Sequence, residues 1–499
     1  MNPLQRIRFL ALLVLQLPLT AGAQPDGPRS EWPAIDSFIE SRREFARIPG
    51  VALAVVQDKE IVYLRGYGAA DPDGRPVTPE MPFMVGSLSK SFTALAVMQL
   101  VEAGKVDLDQ PVQRYLPWFR VADERASGQI TVRQLLNQTS GLSFRSGRLL
   151  LADSDASAAA VERHVRSLAS QPLSSAPGTQ YEYSNANYDA AGLIVEVASG
   201  LLFEEYVRRN VFEPLAMRHS YASLDDAKRG GLPTGHRIWF GWPVAAKNLP
   251  FIRGELPAGG LMSSAENMAH WLIAHLNEGR YQDASVLSPA GMEVLHTPPP
   301  NGWYGMGWAG SWLGNQATLT HHGDTAGSHS QMVIVPSARL GVVVLINVNS
   351  QLDHLSLMGL ADGVAALILG QTPSPPAHDR LATYIYAAIA ALIVAQAAGF
   401  AWSLRILRRA SAANSPPIKW STLVWALAAL ALDLAVVVVL TIVVPDRFET
   451  TLDAMLQAQP DASWPGLAAA LFSLCWGPLR TLLLVGRLPN QQTGVPGEK

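Results

Sequence analysis

The chain has 499 residues, 48% of them hydrophobic, and its 38 basic and 41 acidic side chains give a net charge of −3. Balanced charge without a basic stripe excludes nucleic acid as an expected partner. Cys475 is the only cysteine, which excludes a fold stabilised by internal disulfides. The length accommodates a large domain stabilised by its core alone, together with a second segment.

The first 23 residues predict an export signal. Arg6 and Arg8 precede an apolar stretch at residues 9–19, and Ala21-Gly22-Ala23 offers a small-residue cleavage site. The apolar stretch is short for a membrane-spanning helix, although an uncleaved anchor is a second interpretation. We therefore expect residues 1–23 to direct export of the domain that comes after them.

Residues 28–371 predict an α+β domain, with strands near both ends and a mainly helical segment between them. Apolar, β-branched runs at residues 51–56 and 61–66 predict one antiparallel hairpin. Similar runs at residues 331–335 and 341–347 predict a second hairpin. We therefore expect an antiparallel sheet built from both ends of the domain, flanked by helices and containing an inserted helical region.

Two helix starts in this domain are predicted by capping-box spacing, which places Ser or Thr three residues before Glu or Gln. Thr131 with Gln134 and Ser263 with Glu266 have this spacing. After the second hairpin, Thr-Pro-Ser-Pro-Pro opens a linker over residues 372–380, because proline and small polar residues interrupt regular structure.

Three apolar runs follow the linker, at residues 381–404, 420–444 and 466–486. Each is long enough to cross a hydrocarbon layer about 30 Å thick as a helix. Buried helices of a soluble domain are the alternative, but three successive runs near the spanning length favour transmembrane helices. Membrane lipid is therefore an expected partner of this part of the chain.

The charges of the two loops orient the three predicted spans. The first loop is basic and the second mostly acidic: Arg405, Arg408, Arg409 and Lys419 against Asp446, Glu449, Asp453 and Asp461, with Arg447 in the second. Basic loops remain in the cytoplasm. We therefore expect a protein of the cytoplasmic (inner) membrane whose large domain lies in the periplasm or outside the cell, as the export signal also requires.

Asp433 in the second predicted span and Arg480 in the third are costly in lipid, and pairing would lower that cost. At 1.5 Å per residue, Asp433 lies about 20 Å from the cytoplasmic end of its run and Arg480 about 9 Å from its own. Because the two side chains lie at different depths in the membrane, we expect them not to pair. We expect Arg480 to extend to the inner interface and Asp433 to face another helix.

Ser87 and Lys90 open a segment that predicts a helix to about Ala103, ended by Gly104. Residues three apart share a helix face, so we expect the hydroxyl and the amine to touch. A lysine desolvated against an apolar helix can be neutral and take the proton of the hydroxyl, which makes the serine a nucleophile. Considered alone, the pair also fits an ordinary helix start.

Tyr183 and Asn185 form a second candidate group, within Tyr181-Glu-Tyr-Ser-Asn-Ala-Asn-Tyr188. A phenol beside a lysine ammonium can be held as phenolate and can move protons between a nucleophile and a leaving group. Asn185 can bond a substrate amide or the lysine. A tyrosine- and asparagine-rich surface loop is the alternative.

His321-His322-Gly323-Asp324 precedes the second hairpin. A strand here, with glycine allowing close approach, can pair with a substrate backbone. A metal site formed by His321, His322, Asp324 and His329 is a competing interpretation, although no His-x-x-x-His spacing or glutamate partner supports it. Structural roles for His322 and His329 are the remaining alternative.

In this order, the three groups resemble the motifs of the penicillin-recognising serine hydrolases, which include class C β-lactamases, D-alanyl-D-alanine carboxypeptidases, D-aminopeptidases and related esterases. The matching motifs are Ser87-x-x-Lys90, Tyr183-x-Asn185 and His321-x-Gly323. Residues 130–142 and 257–264 also resemble segments of that family. The resemblance covers residues 30 to 370 and implies a β-lactamase/transpeptidase-like fold.

The resemblance implies that Ser87 attacks a carbonyl while Lys90 and Tyr183 move its proton, and that water releases the acyl-enzyme. The oxyanion would lie between the backbone N–H groups of Ser87 and Asp324. The implied substrate-binding positions are Asn185, His321, Gly323 and Asp324. No cofactor or metal is implied, and the sequence has no Gly-x-Ser-x-Gly elbow of an α/β-hydrolase.

Two departures from the family narrow the expected substrates. His321 stands where β-lactamases usually have lysine, so the positive charge that binds a substrate carboxylate is missing. Asp324 adds negative charge beside the expected oxyanion site. We therefore expect peptides, amides or esters that lack a carboxylate next to the cleaved bond.

The whole architecture resembles the periplasmic prodrug-activating peptidases, which remove an N-acyl-D-amino-acid cap from a secreted product. Gly327 stands where their cap-recognising asparagine aligns, so a preference for D-asparagine is not expected here. The likeness concerns export signal, domain and three spans more than the substrate.

These observations predict a membrane-anchored, extracytoplasmic peptidase, amidase or esterase, possible substrates being D-amino-acid-containing peptides and N-acyl-D-amino-acid prodrugs. A weak β-lactamase or DD-carboxypeptidase is the first alternative. The second is a non-catalytic sensor of wall fragments or β-lactams, which can lose Ser87, Lys90 or Tyr183 without penalty, and all three are present. The sequence predicts no particular oligomeric state.

Overall fold

The computed structural model describes residues 31–148, 155–246, 249, 251–300, 302–410 and 420–485. The predicted export signal at residues 1–23 lies outside these residues, as does Lys419 of the basic loop. The described chain consists of an α+β domain, which ends with a helix at Ile368, and a set of long helices that begins at Arg380.

The main sheet of the domain has six antiparallel strands in the order β2-β1-β12-β11-β10-β9. The strands in chain order are β1 Gly50–Gln57, β2 Glu60–Gly68, β3 Phe83–Met84, β4 His236–Trp239, β5 Trp242–Ala245, β6 Met262–Ser263, β7 Arg280–Tyr281, β8 Ala284–Ser285, β9 Ala309–Leu313, β10 Gln316–Asp324, β11 His329–Val335, β12 Leu340–Ile346 and β13 Val348–Asn349. The strands outside the main sheet form small two- and three-stranded sheets.

Both predicted hairpins are confirmed, and they join at the centre of the sheet. β1 pairs with β2 and β11 with β12, and β1 also pairs with β12, so that Val51 lies opposite Ile346. Alternate residues of β1 enter different hydrophobic clusters, Leu53 on one face and Ala54 on the other. Because both faces are covered, β12 is apolar along its whole length and β1 is apolar up to Val56.

Helices cover the two faces of the sheet and build the inserted region. The helices of the domain are α1 Trp32–Phe45, α2 Ser89–Glu102, α3 Glu124–Ser127, α4 Val132–Leu136, α5 Ala160–Ser167, α6 Asn185–Ser199, α7 Phe203–Val207, α8 Leu224–Arg229, α9 Leu256–Gly259, α10 Ala265–Leu276, α11 Pro289–His296, α12 His354–Leu357 and α13 Leu360–Ile368. α1 and α13 pack on one face, whereas α2 and α10 belong to the larger cluster on the other.

Of the two predicted capping boxes, one is confirmed and one is displaced. Thr131 accepts from the N–H of Gln134, whose side chain bonds the N–H of Thr131 in return. α10 is capped by Ser264, which accepts from the N–H of Asn267. Ser263 cannot fill this position because it belongs to β6 and pairs with Phe83.

Three helices after the linker are long and apolar enough to cross a membrane: Arg380–Arg409, Trp420–Arg447 and Pro460–Val485. In secondary structure they comprise α14 Arg380–Ala410, α15 Trp420–Val438 continued through a π-helical turn into α16 Val444–Arg447, and α18 Pro460–Val485. A short helix, α17 Leu452–Ala458, connects the second and third long helices. The third helix begins six residues before the predicted apolar run.

The prediction that Arg480 and Asp433 act separately is wrong. Arg480 Nη2 donates to Asp433 Oδ2 at 2.9 Å, and Ser473 Oγ lies 3.3 Å from Asp433 Oδ1. The two helices run in opposite directions, and a side chain leans toward the N-terminus of its own helix, so the two side chains lean toward each other. Gly477 allows the approach, because a Cβ there would lie 2.7 Å from Asp433 Oδ2.

Candidate active site

Ser87 lies in a 3-10 turn, Gly86–Leu88, between β3 and α2. The turn packs directly against the end of β10, where a Cβ on Gly86 would lie 2.6 Å from the backbone nitrogen of Asp324. Gly86 also has a φ of +53°, which favours glycine. Ser330 on β11 holds the residue before the turn by donating a hydrogen bond to the carbonyl of Val85 at 2.7 Å.

The Ser87 hydroxyl oxygen lies within hydrogen-bond distance of two other ionisable side chains. Lys90 Nζ is 2.9 Å away and the Tyr183 hydroxyl is 2.6 Å away. The helix begins at Ser89, so the i, i+3 contact predicted for Ser87 and Lys90 is made across the junction of the 3-10 turn and the helix. Tyr183 arrives from the segment just before α6, almost a hundred residues later in the chain.

Lys90 is fully buried, and its amine is surrounded by neutral oxygen atoms. Besides Ser87, Nζ contacts Asn185 Oδ1 at 2.8 Å and the carbonyl of Ala258 at 2.7 Å. Burial lowers the pKa of Lys90 to about 7, although the carboxyl groups of Asp189 and Glu255 oppose the shift. An appreciable fraction of the amine is therefore unprotonated near neutral pH.

Two buried carboxyl groups lie next to this amine, and the sequence motifs do not indicate either. Glu255 accepts from Asn185 Nδ2 at 3.3 Å, and burial raises its pKa to about 7 against the effect of Lys90 and Arg148. Asp189 is fully buried on α6, 3.4 Å from His164 Nδ1, and burial raises its pKa well above the usual range. Both groups therefore retain protons more readily than surface carboxylates do.

Tyr183 is a phenol in this site, unlike the phenolate considered from sequence. Burial raises the pKa of Tyr183 well above its usual value, and the hydrogen bond with Ser87 only partly opposes this. The Lys90 amine lies 4.7 Å from the centre of the Tyr183 ring. The tyrosine is therefore placed to donate a proton toward Ser87, and Lys90 is the better initial proton acceptor.

His321 contributes no positive charge to the site. Its Nδ1 lies 2.7 Å from the carbonyl of His322, and its Nε2 lies 2.9 Å from the hydroxyl of Tyr304. This pattern places the proton on Nδ1, because a carbonyl only accepts, and leaves Nε2 to accept from the tyrosine. Burial lowers the pKa of His321 to about 3, so the ring is neutral at any physiological pH.

Two histidines hold Asp324: His329, which belongs to the metal site considered as an alternative, and His354, which does not. His329 Nδ1 lies 2.8 Å from its Oδ1 and His354 Nε2 lies 3.3 Å from its Oδ2. Burial alone would raise the pKa of Asp324, but the two histidines outweigh it and hold the pKa well below the usual range. The carboxylate is therefore ionised.

The same three side chains are close enough to surround a cation, with ligand atoms within 4.8 Å of one another. Gln331 argues against this use. Its amide is oriented by Leu357 and Ala361 so that Nε2 donates to His329 Nε2 at 2.9 Å. His329 then carries its proton on Nδ1, the atom that faces Asp324, where a metal ligand must be unprotonated.

A cavity of about 460 Å³ opens over Ser87. Of the predicted site residues, Ser87, Tyr183, Asn185, His321 and Asp324 line it. Aromatic residues form much of its wall: Phe144, Tyr181, Phe251, Trp303 and Tyr304. Ala454, Gln457, Ala458 and Gln459, from α17 and the residue after it, also line it. The cleft is therefore bounded by both parts of the described chain.

The Beta-lactamase family model matches residues 35–364. The chain belongs to the beta-lactamase family. All of the predicted site residues lie within the matched range, and Ser87, Lys90, Tyr183 and Asn185 meet in the structure as the family resemblance implies.

Proteins similar to this chain are found in bacteria, fungi and archaea. Protein flp of Staphylococcus aureus strain MW2 is 27% identical over 336 residues, which are 64% of this chain and 65% of that protein. The unguisins hydrolase ungD' of Aspergillus campestris is 29% identical over 325 residues, 60% of this chain and 58% of that protein. The chain thus spans less than two thirds of the length of either relative.

A solved structure shares the fold. The octameric penicillin-binding protein homologue from Pyrococcus abyssi superposes with a TM-score of 0.58 at 26% identity, over 68% of this chain and 78% of its own. The β-lactamase-like sheet and helices predicted from the sequence are therefore confirmed.

Family motifs identify only part of this beta-lactamase-like site. Ala258 lies within the family-like segment 257–264, so the sequence indicates that this position belongs near the site. The contact of its carbonyl with Lys90 is visible only in the structure. Tyr304, Glu255 and His354 belong to no motif recognised in the sequence. Their importance follows from burial and from contacts between distant segments, which local spacing does not reveal.

Proposed function

We propose that this chain is a membrane-anchored, extracytoplasmic serine hydrolase that works through an acyl-enzyme on Ser87. The observation that carries the proposal is the Ser87 hydroxyl, which lies 2.9 Å from the Lys90 amine and 2.6 Å from the Tyr183 phenol. A serine needs a base to become a nucleophile, and a buried lysine with a pKa of about 7 is matched to that task near neutral pH.

In the proposed acylation step, unprotonated Lys90 takes the proton of Ser87 while Ser87 Oγ forms a bond to the substrate carbonyl carbon. The bond to the leaving group then breaks, and Tyr183 gives its proton to the leaving group and recovers one from Lys90. The net change is an acyl-serine and a protonated leaving group, with both side chains returned to their starting states. Water then attacks the carbonyl carbon of the acyl-serine and gives up a proton, and the Ser87 oxygen leaves and takes up a proton, which releases the acid.

The negative charge on the carbonyl oxygen is proposed to lie between the backbone N–H groups of Ser87 and Asp324. The two segments approach closely, since a Cβ on Gly323 would lie 3.0 Å from the nitrogen of Ser87. Position 323 therefore requires glycine because a side chain would not fit there, and not because of its backbone conformation. Backbone donors held this rigidly stabilise charge in the transition state without reorganising.

The charges of the cleft favour substrates without a carboxylate near the cleaved bond. His321 is neutral, and Asp324 is held ionised by His329 and His354. We propose that the substrates are peptides, amides or esters, with D-amino-acid-containing peptides and N-acyl-D-amino-acid prodrugs among the candidates. The fungal relative is a hydrolase of unguisins, which supports a hydrolytic reaction.

The proposed topology places the active-site cleft on the outer side of the membrane. α17, which connects the second and third long helices, lines the cleft, so this acidic loop and the catalytic domain lie on one side. Arg405, Arg408 and Arg409 lie in the last turns of the first long helix, at the end opposite to its junction with the domain. Basic loops remain cytoplasmic, and the apolar stretch at residues 9–19 fits export of the domain.

The test is turnover by the purified full-length protein against N-acyl-D-amino-acid amides, D-Ala-D-Ala peptides, short p-nitrophenyl esters and nitrocefin. Each substrate is assayed beside Ser87→Ala and Ser91→Ala. Ser91 is a matched control because its hydroxyl lies one turn further along α2 and donates only to the carbonyl of Leu88. We expect Ser87→Ala to lower kcat/KM by at least about 10³-fold and Ser91→Ala to change it less than about threefold.

The preferred substrate separates the alternatives. Preference for the D-amino-acid amides or peptides supports a peptidase, preference for esters an esterase, and preference for nitrocefin a β-lactamase. Turnover that survives in Ser87→Ala contradicts the proposed nucleophile. A stable Ser87 adduct without turnover of any substrate contradicts hydrolysis and favours the sensor.

A further inference from the structure

We propose that the loop between the second and third long helices completes the substrate cleft and forms a distal subsite for a peptide chain. This subsite loop comprises residues 446–459, which are the last two residues of the second long helix and the connection that contains α17. The inference rests on the proposed function, because it concerns how the same cleft selects its substrate away from the cleaved bond.

The nucleophile and the subsite loop open onto one cavity. Ser87 and Gln457 both line the space of about 460 Å³, as do Ala454, Ala458 and Gln459. Its volume lies within the range of about 300–1,000 Å³ that is typical of ligand pockets. A substrate that reaches Ser87 and fills this cavity therefore contacts the subsite loop as well as the catalytic domain.

Contacts at both ends of the subsite loop hold it against the catalytic domain. At its start, Asp446 forms an ion pair with Arg145. Just beyond its end, fully buried Asp461 accepts from the N–H of Phe240 at 2.9 Å. The exposed ion pair is worth little by itself, whereas the buried carboxylate has a defined partner whose loss is costly.

The subsite loop is itself an ordered structure. Thr451 caps α17 by accepting from the N–H of Ala454 at 3.2 Å. Ser463, at the start of α18, donates to the carbonyl of Met455 at 3.0 Å. The N–H of Thr450 donates to the carbonyl of Pro445 at 3.0 Å. These bonds give the cleft a fixed wall on this side, and a fixed wall discriminates between substrates by shape.

The chemistry of the two walls fits a peptide with apolar side chains. The loop side presents the amides of Gln457 and Gln459, and an amide both donates and accepts, as a peptide group does. Phe144, Phe251 and Trp303 of the domain offer apolar surface to side chains. Ala454 and Ala458 have small side chains, which leave room on the loop side for a peptide chain.

The experiment fills the subsite and measures how the rate depends on substrate length. The full-length protein, Ala458→Trp and Leu456→Trp are compared. Leu456 is the matched control because it lies on the same helix and does not line the cavity. The substrates are p-nitrophenyl acetate and two series of N-acetyl-D-alanyl amides, extended by one to four residues on the acyl side or on the leaving-group side.

We expect kcat/KM of the wild type to rise at least about tenfold with length in one of the two series. Ala458→Trp is expected to abolish this rise relative to its own turnover of p-nitrophenyl acetate, whereas Leu456→Trp preserves both the rise and the ester turnover. Loss of the rise in Ala458→Trp alone supports the subsite.

Three results would overturn the inference. One is a wild-type rate that is independent of length in both series. Another is an unchanged length dependence in Ala458→Trp. The third is an equal loss of ester turnover in both tryptophan variants, which indicates a purely structural helix. In all three cases Ser87-dependent turnover by the wild type still supports the proposed function, and the absence of Ser87-dependent turnover of every substrate would overturn both proposals.

Discussion

Lys90 in the catalytic domain and Arg480 in the helical part are both buried basic side chains, and their surroundings affect their charge in opposite ways. Arg480 lies between helices with a carboxylate oxygen of Asp433 2.9 Å from its guanidinium. Lys90 lies in the domain core with three neutral oxygens around its amine, from Ser87, Asn185 and Ala258. A buried charge is expensive unless it is paired, so the second arrangement favours loss of the proton.

The difference follows from the chemistry of the two side chains. A guanidinium does not deprotonate in proteins, so Arg480 needs a permanent counter-ion and has one. An amine can deprotonate, and burial lowers the pKa of Lys90 to about 7. Asp189 and Glu255 moderate this shift from outside the amine's hydrogen-bond contacts. A direct carboxylate contact would have kept Lys90 charged and unable to serve as a base.

Substitution at Lys90 gives the largest expected effect. In Lys90→Met we expect kcat/KM for any substrate to fall about 10³-fold, because the proton acceptor of Ser87 is lost. The melting temperature should stay equal or rise, since a buried amine is replaced by an apolar chain. The measurements are steady-state kinetics and thermal unfolding of the full-length protein in detergent.

Lys90→Arg sharpens the same comparison. It retains a positive charge but no proton acceptor, so it should be as inactive as Lys90→Met. More than a tenth of wild-type kcat/KM in a folded Lys90→Arg protein would contradict the proposal that the unprotonated amine acts.

The opposite outcome is expected in the helical part. Asp433→Asn leaves the buried Arg480 without its counter-ion, which should destabilise the protein by about 2–4 kcal/mol and lower its melting temperature by several degrees. Ester turnover at 20 °C or below should change by less than about twofold, because this pair is remote from the proposed catalytic residues.

A double variant provides the control for this second prediction. Asp433→Leu combined with Arg480→Met removes both charges and should recover much of the lost stability. An unchanged melting temperature in Asp433→Asn would show that the pair contributes nothing to the fold.

The contrast also explains which features were predictable from the sequence. The hairpins and the Ser87–Lys90 contact depend on local spacing, and the sequence shows them directly. The Asp433–Arg480 pair was missed because counting residues along each helix ignores the direction in which side chains lean.

Charge states were the least predictable property of the site. The sequence suggested a phenolate at Tyr183, whereas burial raises the pKa of this phenol well above its usual value. Glu255 and Tyr304 lie outside the three motifs, and burial raises the pKa of both. Desolvation is a property of the assembled fold, so neighbouring residues in the chain do not report it.

The last prediction, with the smallest effect, adjusts the pKa of Lys90 instead of removing it. The titratable groups around the amine are Tyr183, Tyr188, Asp189 and Glu255, and His321 lies within electrostatic range. Ionised Glu255 raises the pKa of Lys90, so Glu255→Gln should lower it. Activity requires the unprotonated amine, and the acid limb of the kcat/KM–pH profile should therefore move to lower pH.

The shift in pH profile separates an electrostatic role of Glu255 from a structural one. Gln keeps the size of the side chain and can still accept from Asn185, so kcat/KM on the plateau should change less than about tenfold. Glu102→Gln, at the far end of α2, is the matched control and should leave the profile in place. A Glu255→Gln profile that falls in height without moving along the pH axis would contradict the electrostatic role. A shift to lower pH would instead show that Lys90, unlike Arg480, has a charge that its surroundings adjust rather than fix.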